Sequence, residues 1–256
     1  VSAAHLLLVL HGDLADLLLK RYRKAAEVHY RLSRRASIKD ILEAVGIPHT
    51  EIGVIKKGAE QLNFSFSPEP GEKIAIHPVP AGAAALQPSV LRPDPPAQVR
   101  FLVDVNVGRL AGLLRMAGLD AVSVGEAENV PPKREIALRS RRSGRILLSR
   151  DKELLKHREV VFGRLVRSQN PEKQLHEIVF FYGLRPDLAP FSRCLRCNGL
   201  LEPVDKQRVM HQLEPLTKKY YDRFRRCGSC SKVYWKGSHH ERMIALLEPI
   251  MADPGS

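Results

Sequence analysis

The sequence predicts an α/β chain in three parts: a small N-terminal mixed sheet crossed by a helix, a central parallel sheet flanked by helices, and a C-terminal module built on cysteines. Three observations predict it. Between residues 101 and 156, strand-length apolar runs alternate with helical patterns, the signature of a parallel, doubly wound sheet. Residues 81–98, AGAAALQPSVLRPDPPAQ, are rich in Ala and Pro without apolar periodicity, and read as a partly extended linker behind residues 1–80. Four cysteines stand in two CxxC pairs, Cys194 with Cys197 and Cys227 with Cys230.

The N-terminal part comes first. Leu6–Leu10 suits a strand. Ser37, three residues before Asp40, opens an approximate capping box, and Ile38, Ile41, Leu42 and Val45 follow at helical spacing until Gly46 stops the helix. An apolar Ile52–Ile55 segment and the turn-then-strand PGEKIAIHPVP complete a small sheet. Nothing in residues 1–80 carries chemistry, so scaffolding or a protein partner is expected of them. A net charge of +13 favours a polyanionic partner, because Lys and Arg displace counterions from phosphates. No apolar run reaches the roughly 18–20 residues of a membrane span, and LLLVL at 6–10 has no basic flank. No signal peptide and a cytoplasmic location are therefore expected.

In the central part, FLV at 101–103 reads as a strand and ends on Asp104. Asn106 is placed to cap a helix whose apolar face is Leu110, Leu113, Leu114 and Ala117, with Gly118 ending it. Asp120–Val124 reads as a second strand, Pro131 and Pro132 open a helix that Gly144 closes, and RILLS at 145–149 is a third strand followed by Arg150 and Asp151. Two strands thus end in aspartate. In open α/β sheets the carboxyl ends of the strands face the crevice where ligands bind. Asp104 and Asp151 are expected to meet there although 47 positions separate them, and clustered carboxylates suit a hard cation, Mg²⁺ or Mn²⁺. On the plainer reading each aspartate caps the helix that follows. Further on, Asn170 reads as a cap before Pro171.

The cysteines form CxxC–x29–CxxC. Four thiolates complete a tetrahedral Zn²⁺ and leave no open position, so a structural zinc site is expected, with a hairpin filling the gap. Redox-active dithiols would call for a thioredoxin-like βαβ unit, which is absent. Basic residues alternate with aromatics around the second pair, a pattern that holds phosphates while stacking on bases.

The order of elements in residues 1–80 resembles a ubiquitin-like β-grasp domain, and GIPHTE and GEKIAIHPV resemble the version that precedes Mut7-C ribonuclease domains. FLVDVNVGRLAGLLRMAGLD, GRILLSRDKELLK and VRSQNPEKQL resemble the PIN-like nuclease domain of the Mut7-C family, and VYWKGSHHERM resembles the family's zinc-ribbon ending. What the resemblance implies is a metal-dependent ribonuclease with Asp104 and Asp151 as core ligands, Glu153 as a further carboxylate and Asn106 holding a water on the ion. The pattern departs at one place: PIN-like domains usually carry another acid at the start of the middle helix, where this chain has Pro131-Pro132-Lys133. Glu135 is the nearest candidate, with Glu126 and Glu128 just upstream.

The expected division is a β-grasp domain at 1–80, the linker at 81–98, a PIN-like domain at 99–185 and a zinc ribbon at 186–252. Candidate RNA contacts are Arg109, Arg115, Lys133, Arg134 and Arg150 in the nuclease part, and Lys218, Lys219, Arg225, Arg226, Trp235, Lys236, His239 and His240 in the ribbon. A structured RNA such as transfer RNA is the expected substrate. Two other readings stay open: a non-catalytic RNA- or ribosome-binding zinc protein, and an adaptor recruiting partners through residues 1–80.

Overall fold

A computed structural model describes residues 5–22, 25–126 and 129–252. The first sheet holds β1 (His5–Leu10), β2 (Glu27–Arg31), β3 (Ile52–Lys57), β4 (Glu60–Gln61) and β5 (Lys73–Pro78), in the order β2-β1-β5-β3-β4, with β1 and β5 parallel. Helix α1 (Ile38–Val45) buries Ile38, Ile41, Leu42 and Val45. Ser37 caps it by accepting the Asp40 N–H at 3.2 Å, and Gly46 closes it at φ 112°. The expected β-grasp architecture is present.

The central sheet runs β6 (Arg100–Val103), β7 (Asp120–Ser123), β8 (Ile146–Ser149) and β9 (Gly163–Leu165), all parallel, in the order β7-β6-β8-β9. Helices α2 (Gly108–Met116), α3 (Lys133–Ser143), α4 (Lys152–Leu155) and α5 (Pro171–Phe181) connect and follow the strands. The chain steps from β6 to β7 on one side and later to β8 on the other. The crevice beyond the carboxyl ends of β6 and β8 is therefore the topological switch point, where ligands of open α/β sheets bind.

Strand alternation divides the core in two. Phe101, Val103, Ile146 and Leu148 pack with residues of α2 and α5, whereas Leu102 and Leu147 pack with Ile136, Leu154 and Leu155 and with the buried residues of the first sheet. The N-terminal domain thus shares a core with the central part instead of hanging from a linker. Polar groups pin the seam. Glu51, 1% exposed, accepts Arg164 at 2.6 Å and the Leu165 N–H at 2.7 Å, and Arg167 Nη2 lies 3.5 Å away. From within the Ala/Pro-rich stretch, Arg92 donates to the carbonyls of His49 and Ile52 at 2.8 Å and of Val161 at 3.2 Å.

The C-terminal part has an antiparallel sheet of β10 (Leu201–Val204), β11 (Phe224–Cys227) and β12 (Val233–Trp235). Two short helices, α6 (Lys206–Val209) and α7 (Pro215–Tyr220), fill the gap between the cysteine pairs along with β10, where a hairpin alone was expected. Helix α8 (Ser238–Met251), which no pattern in the sequence announced, buries Leu247 and Ile250 against the core beside α5.

Candidate metal site and nucleic-acid surfaces

Asp104 follows the buried run of β6 and is itself 4% exposed. A carboxylate so placed needs donors, and it has two: the Val105 N–H at 2.8 Å on Oδ1 and the Ser149 hydroxyl at 2.6 Å on Oδ2. Asp151 caps α4, accepting the Glu153 and Leu154 N–H groups on Oδ1 at 2.9 and 3.3 Å. Its Oδ2 lies 2.7 Å from Lys133 Nζ. The plainer expectation holds for both: each aspartate caps the segment that follows its strand.

Ser149 and Asn106 tie the two together. Ser149 Oγ donates to Asp104 and accepts from the Asp151 N–H at 2.9 Å and from Asn106 Nδ2 at 3.3 Å. Asn106 Oδ1 accepts the Arg150 N–H at 3.1 Å. Asn106 was expected to cap the following helix; it bridges the two strand ends instead, and Asp104 caps the turn at Val105–Val107. Ser149 was missed by the sequence reading because a serine closing an apolar strand looks like filler.

Lys133 completes the constellation. Burial works to raise the Asp151 pKa, but the Lys133 ammonium and the Leu154 and Glu153 N–H groups outweigh it and hold the carboxyl below the ordinary range. Lys133 is raised in turn, first by its hydrogen bond to Asp151, with Glu153 and Asp104 adding to the attraction. One ammonium thus senses both strand-end carboxylates, at the place in the middle helix where an acid was expected. Glu153 is exposed and pairs with Lys156 at 2.7 Å. Glu135 is exposed on α3, and no third carboxylate converges with Asp104 and Asp151 among the described residues. Glu128 and the Glu126 side chain lie outside the described residues.

The donors around Asp104 and Asp151 are all oxygens, which suits a hard divalent ion in kind. In number they amount to two carboxylates, with a lysine already seated on one.

The cysteines converge at the other end of the sheet. Their four sulfurs lie within 4.8 Å of one another, with Cys194–Cys230 at 3.6 Å and Cys197–Cys227 at 3.4 Å. Tetrahedral zinc with Zn–S bonds of about 2.3 Å sets its sulfurs about 3.8 Å apart, so the cluster fits a zinc ion. Against the effect of burial, the Tyr234 hydroxyl and the Cys197 and Arg196 N–H groups draw the Cys194 thiol down to about 6, ready to ligate. Burial and the neighbouring sulfurs push Cys197 up to about 12.

A family model described as Mut7-C RNAse domain matches residues 99–247, and one described as Mut7-C ubiquitin matches residues 3–83. The chain belongs to the Mut7-C family. No curated protein and no solved structure matches it.

In this Mut7-C chain the knuckles are fastened to the nuclease part through the amino ends of β6 and β7. Asp120, first residue of β7, accepts Arg145 at 2.5 Å and Asn198 at 2.8 Å, and Asn198 Oδ1 accepts the Ala121 N–H at 3.1 Å. Arg115 is corrected here. Expected as a phosphate contact, it is 2% exposed and donates to the carbonyls of Ala121, Leu195 and Arg196. It cements the ribbon to α2 and is out of reach of RNA.

The other basic candidates fall into two groups. Arg109, Lys133 and Arg134 are exposed, and half-buried Arg150 donates to the Ser168 carbonyl at 2.7 Å. In the ribbon, Lys219, Arg225, Arg226, Trp235, Lys236 and His239 are exposed, with Lys218 and His240 half-buried. Arg225 is engaged with the Phe191 carbonyl and Arg226 with Ser231 Oγ, both at 2.8 Å. The carboxylates and the ribbon thus sit at opposite ends of the strands.

Proposed function

We propose that this protein is a metal-dependent ribonuclease whose reaction centre is Asp104, Asp151 and Lys133, acting on a structured RNA such as transfer RNA. The observation that carries the reading is the meeting of two strand-end aspartates through Ser149 and Asn106 at the switch point of a sheet in a Mut7-C RNAse domain. Bound by Asp104 and Asp151, Mg²⁺ or Mn²⁺ would supply positive charge for the phosphate and a more acidic water.

The chain's own groups do the rest. The Val105 N–H and Ser149 hydroxyl hold the Asp104 carboxylate in one orientation at the end of β6. Asn106 orients water there. Lys133, 53% exposed, is long enough to swing from Asp151 to a phosphate oxygen, adding a second positive charge where the transition state gathers negative charge. Glu153 is a peripheral acid, and Glu135 is an exposed acid on α3. In-line attack of water on phosphorus breaks the bond to the 3′ oxygen, which leaves with a proton. The products are a 5′-phosphate and a 3′-hydroxyl.

The four cysteines would hold a structural zinc, and the β-grasp domain acts as a buttress that also offers its outer face to a protein partner. A second reading, a non-catalytic RNA- or ribosome-binding protein, is favoured by one observation: a lysine occupies Asp151 where an acid was expected. A cleavage assay on total RNA in Mg²⁺ or Mn²⁺ separates the two. Cleavage that disappears in Asp104→Asn and Asp151→Asn supports the enzyme; RNA bound and never cut supports the binder.

A further inference from the structure

A cavity of about 1280 Å³ lies away from the aspartates, between the ribbon sheet and α8. Its lining is largely apolar, with Phe191, Leu201, Leu247 and Met251 beside Trp235 and Ile244. The Trp235 indole is 39% exposed. Gly237 keeps room beside it, since a Cβ there would stand 3.1 Å from the indole nitrogen. The rim is basic. Lys206 is neutralised by Asp222 at 2.8 Å and Arg193 bonds the Gly118 carbonyl, but Arg208, Arg223 and Lys236 have no carboxylate partner among the described residues.

We propose that this groove is a second RNA-binding site, holding unpaired nucleotides at the opposite end of the nuclease sheet from Asp104. An aromatic ring in an apolar lining takes bases of any sequence, and unpaired cations at the rim take the phosphates. An apolar peptide would fit the lining but leave three cations facing apolar surface without a counter-charge, which is costly. The position follows from the strand register. Arg193, on the groove, is bonded beside Asp120, which pairs with Arg100 at the start of β6, whereas Asp104 follows the end of that strand. Four strand residues and the returning α2 place groove and carboxylates on the order of 15 Å apart. An RNA gripped at both points must extend over several nucleotides, so the groove selects for length and unpaired ends while the aspartates act on one bond.

The proposal rests on the reading of the substrate as RNA, so its test measures binding with cleavage disabled. Zinc-loaded full-length protein carrying Asp104→Asn is titrated into a fluorescein-labelled 15-nucleotide oligouridine, with anisotropy as the readout. Trp235→Ala is expected to weaken binding about tenfold or more, as loss of one stacked base does. The double change Arg208→Glu and Arg223→Glu, on exposed side chains, is expected to weaken it at least tenfold. It should also flatten the dependence of log affinity on log salt by one to two units. Zinc content and melting temperature confirm folding in each variant. RNA bound by the parent but within twofold of parent affinity in both variants overturns the groove and leaves the nuclease reading standing. No RNA bound by the parent also overturns the groove, while cleavage tested at Asp104 still decides the enzyme. Sedimentation as a dimer that Ile244→Asp and Met251→Asp dissolve, with RNA affinity unchanged, would identify the groove as an interface between copies instead.

Discussion

Replacing Glu51 by Gln tests whether the β-grasp domain is a fixed part of the nuclease body. Glu51 accepts two strong hydrogen bonds, from Arg164 and from the Leu165 N–H. Burial pushes its pKa upward, with Arg164 and that N–H opposing. Gln keeps the shape but offers one oxygen for two donors, and sets its amide hydrogens against a donor. Removing one partner of a buried pair costs about 3–5 kcal/mol. Arg164 retains the Phe181 ring at 3.8 Å and Glu177 at 3.9 Å, so the low end, about 3 kcal/mol, is expected. In urea, with a slope of about 3 kcal/mol per molar for a chain this long, the midpoint should fall by about 1 M. The measurement is tryptophan-independent circular dichroism on the zinc-loaded chain. A fall below about 0.3 M, or a parent that already unfolds in two separate steps, would refute the shared core.

Other consequences follow from the same geometry. Lys133→Met should tighten Mn²⁺ binding, followed by electron paramagnetic resonance. A unit charge about 4 Å away repels a divalent ion by about 2 kcal/mol in water, so roughly thirtyfold is expected, and equal affinity would contradict it. Asp120 feels burial upward, but Arg145 and Asn198 outweigh it and hold its carboxyl below the ordinary value of 3.8. Its contribution is therefore complete above about pH 4 and fades as pH falls through the lowered value, never as pH rises. The parent's advantage over Asp120→Asn in urea should be about 2 kcal/mol at pH 6 and shrink as the pH is lowered below 3.8. Cys227→Ser should drop zinc content from one ion per chain toward none and loosen the ribbon, seen as protease cutting within 198–226.

Local patterns carried the parts of this protein that were legible in its sequence. A strand ending on Asp104 and another on Ser149-Arg150-Asp151 fix the crevice because a parallel sheet sends both ends the same way. The CxxC pairs found each other for a similar reason, since only a metal or disulfide explains such spacing. Long-range contacts hid the rest. Arg115 sits on α2 like any solvated cation, yet its guanidinium is taken up by the carbonyls of Ala121 and of Leu195 and Arg196, the last two some eighty residues on. Glu51 looks like a surface charge in a turn until Arg164 arrives from β9. Lys133 was visible as a departure, but its seat on Asp151 depends on the angle at which α3 approaches α4, which no periodicity encodes. Helix α8 escaped because Gly237, the paired histidines and Pro249 interrupt its pattern.

The most direct measurement is RNA cleavage by the zinc-loaded full chain in Mn²⁺, compared with Asp104→Asn and Asp151→Asn proteins of equal zinc content. Strand-end aspartates that hold the reactive ion predict that each change lowers the rate at least a hundredfold, on the scale of losing one transition-state contact. Undiminished cutting in either protein would contradict that.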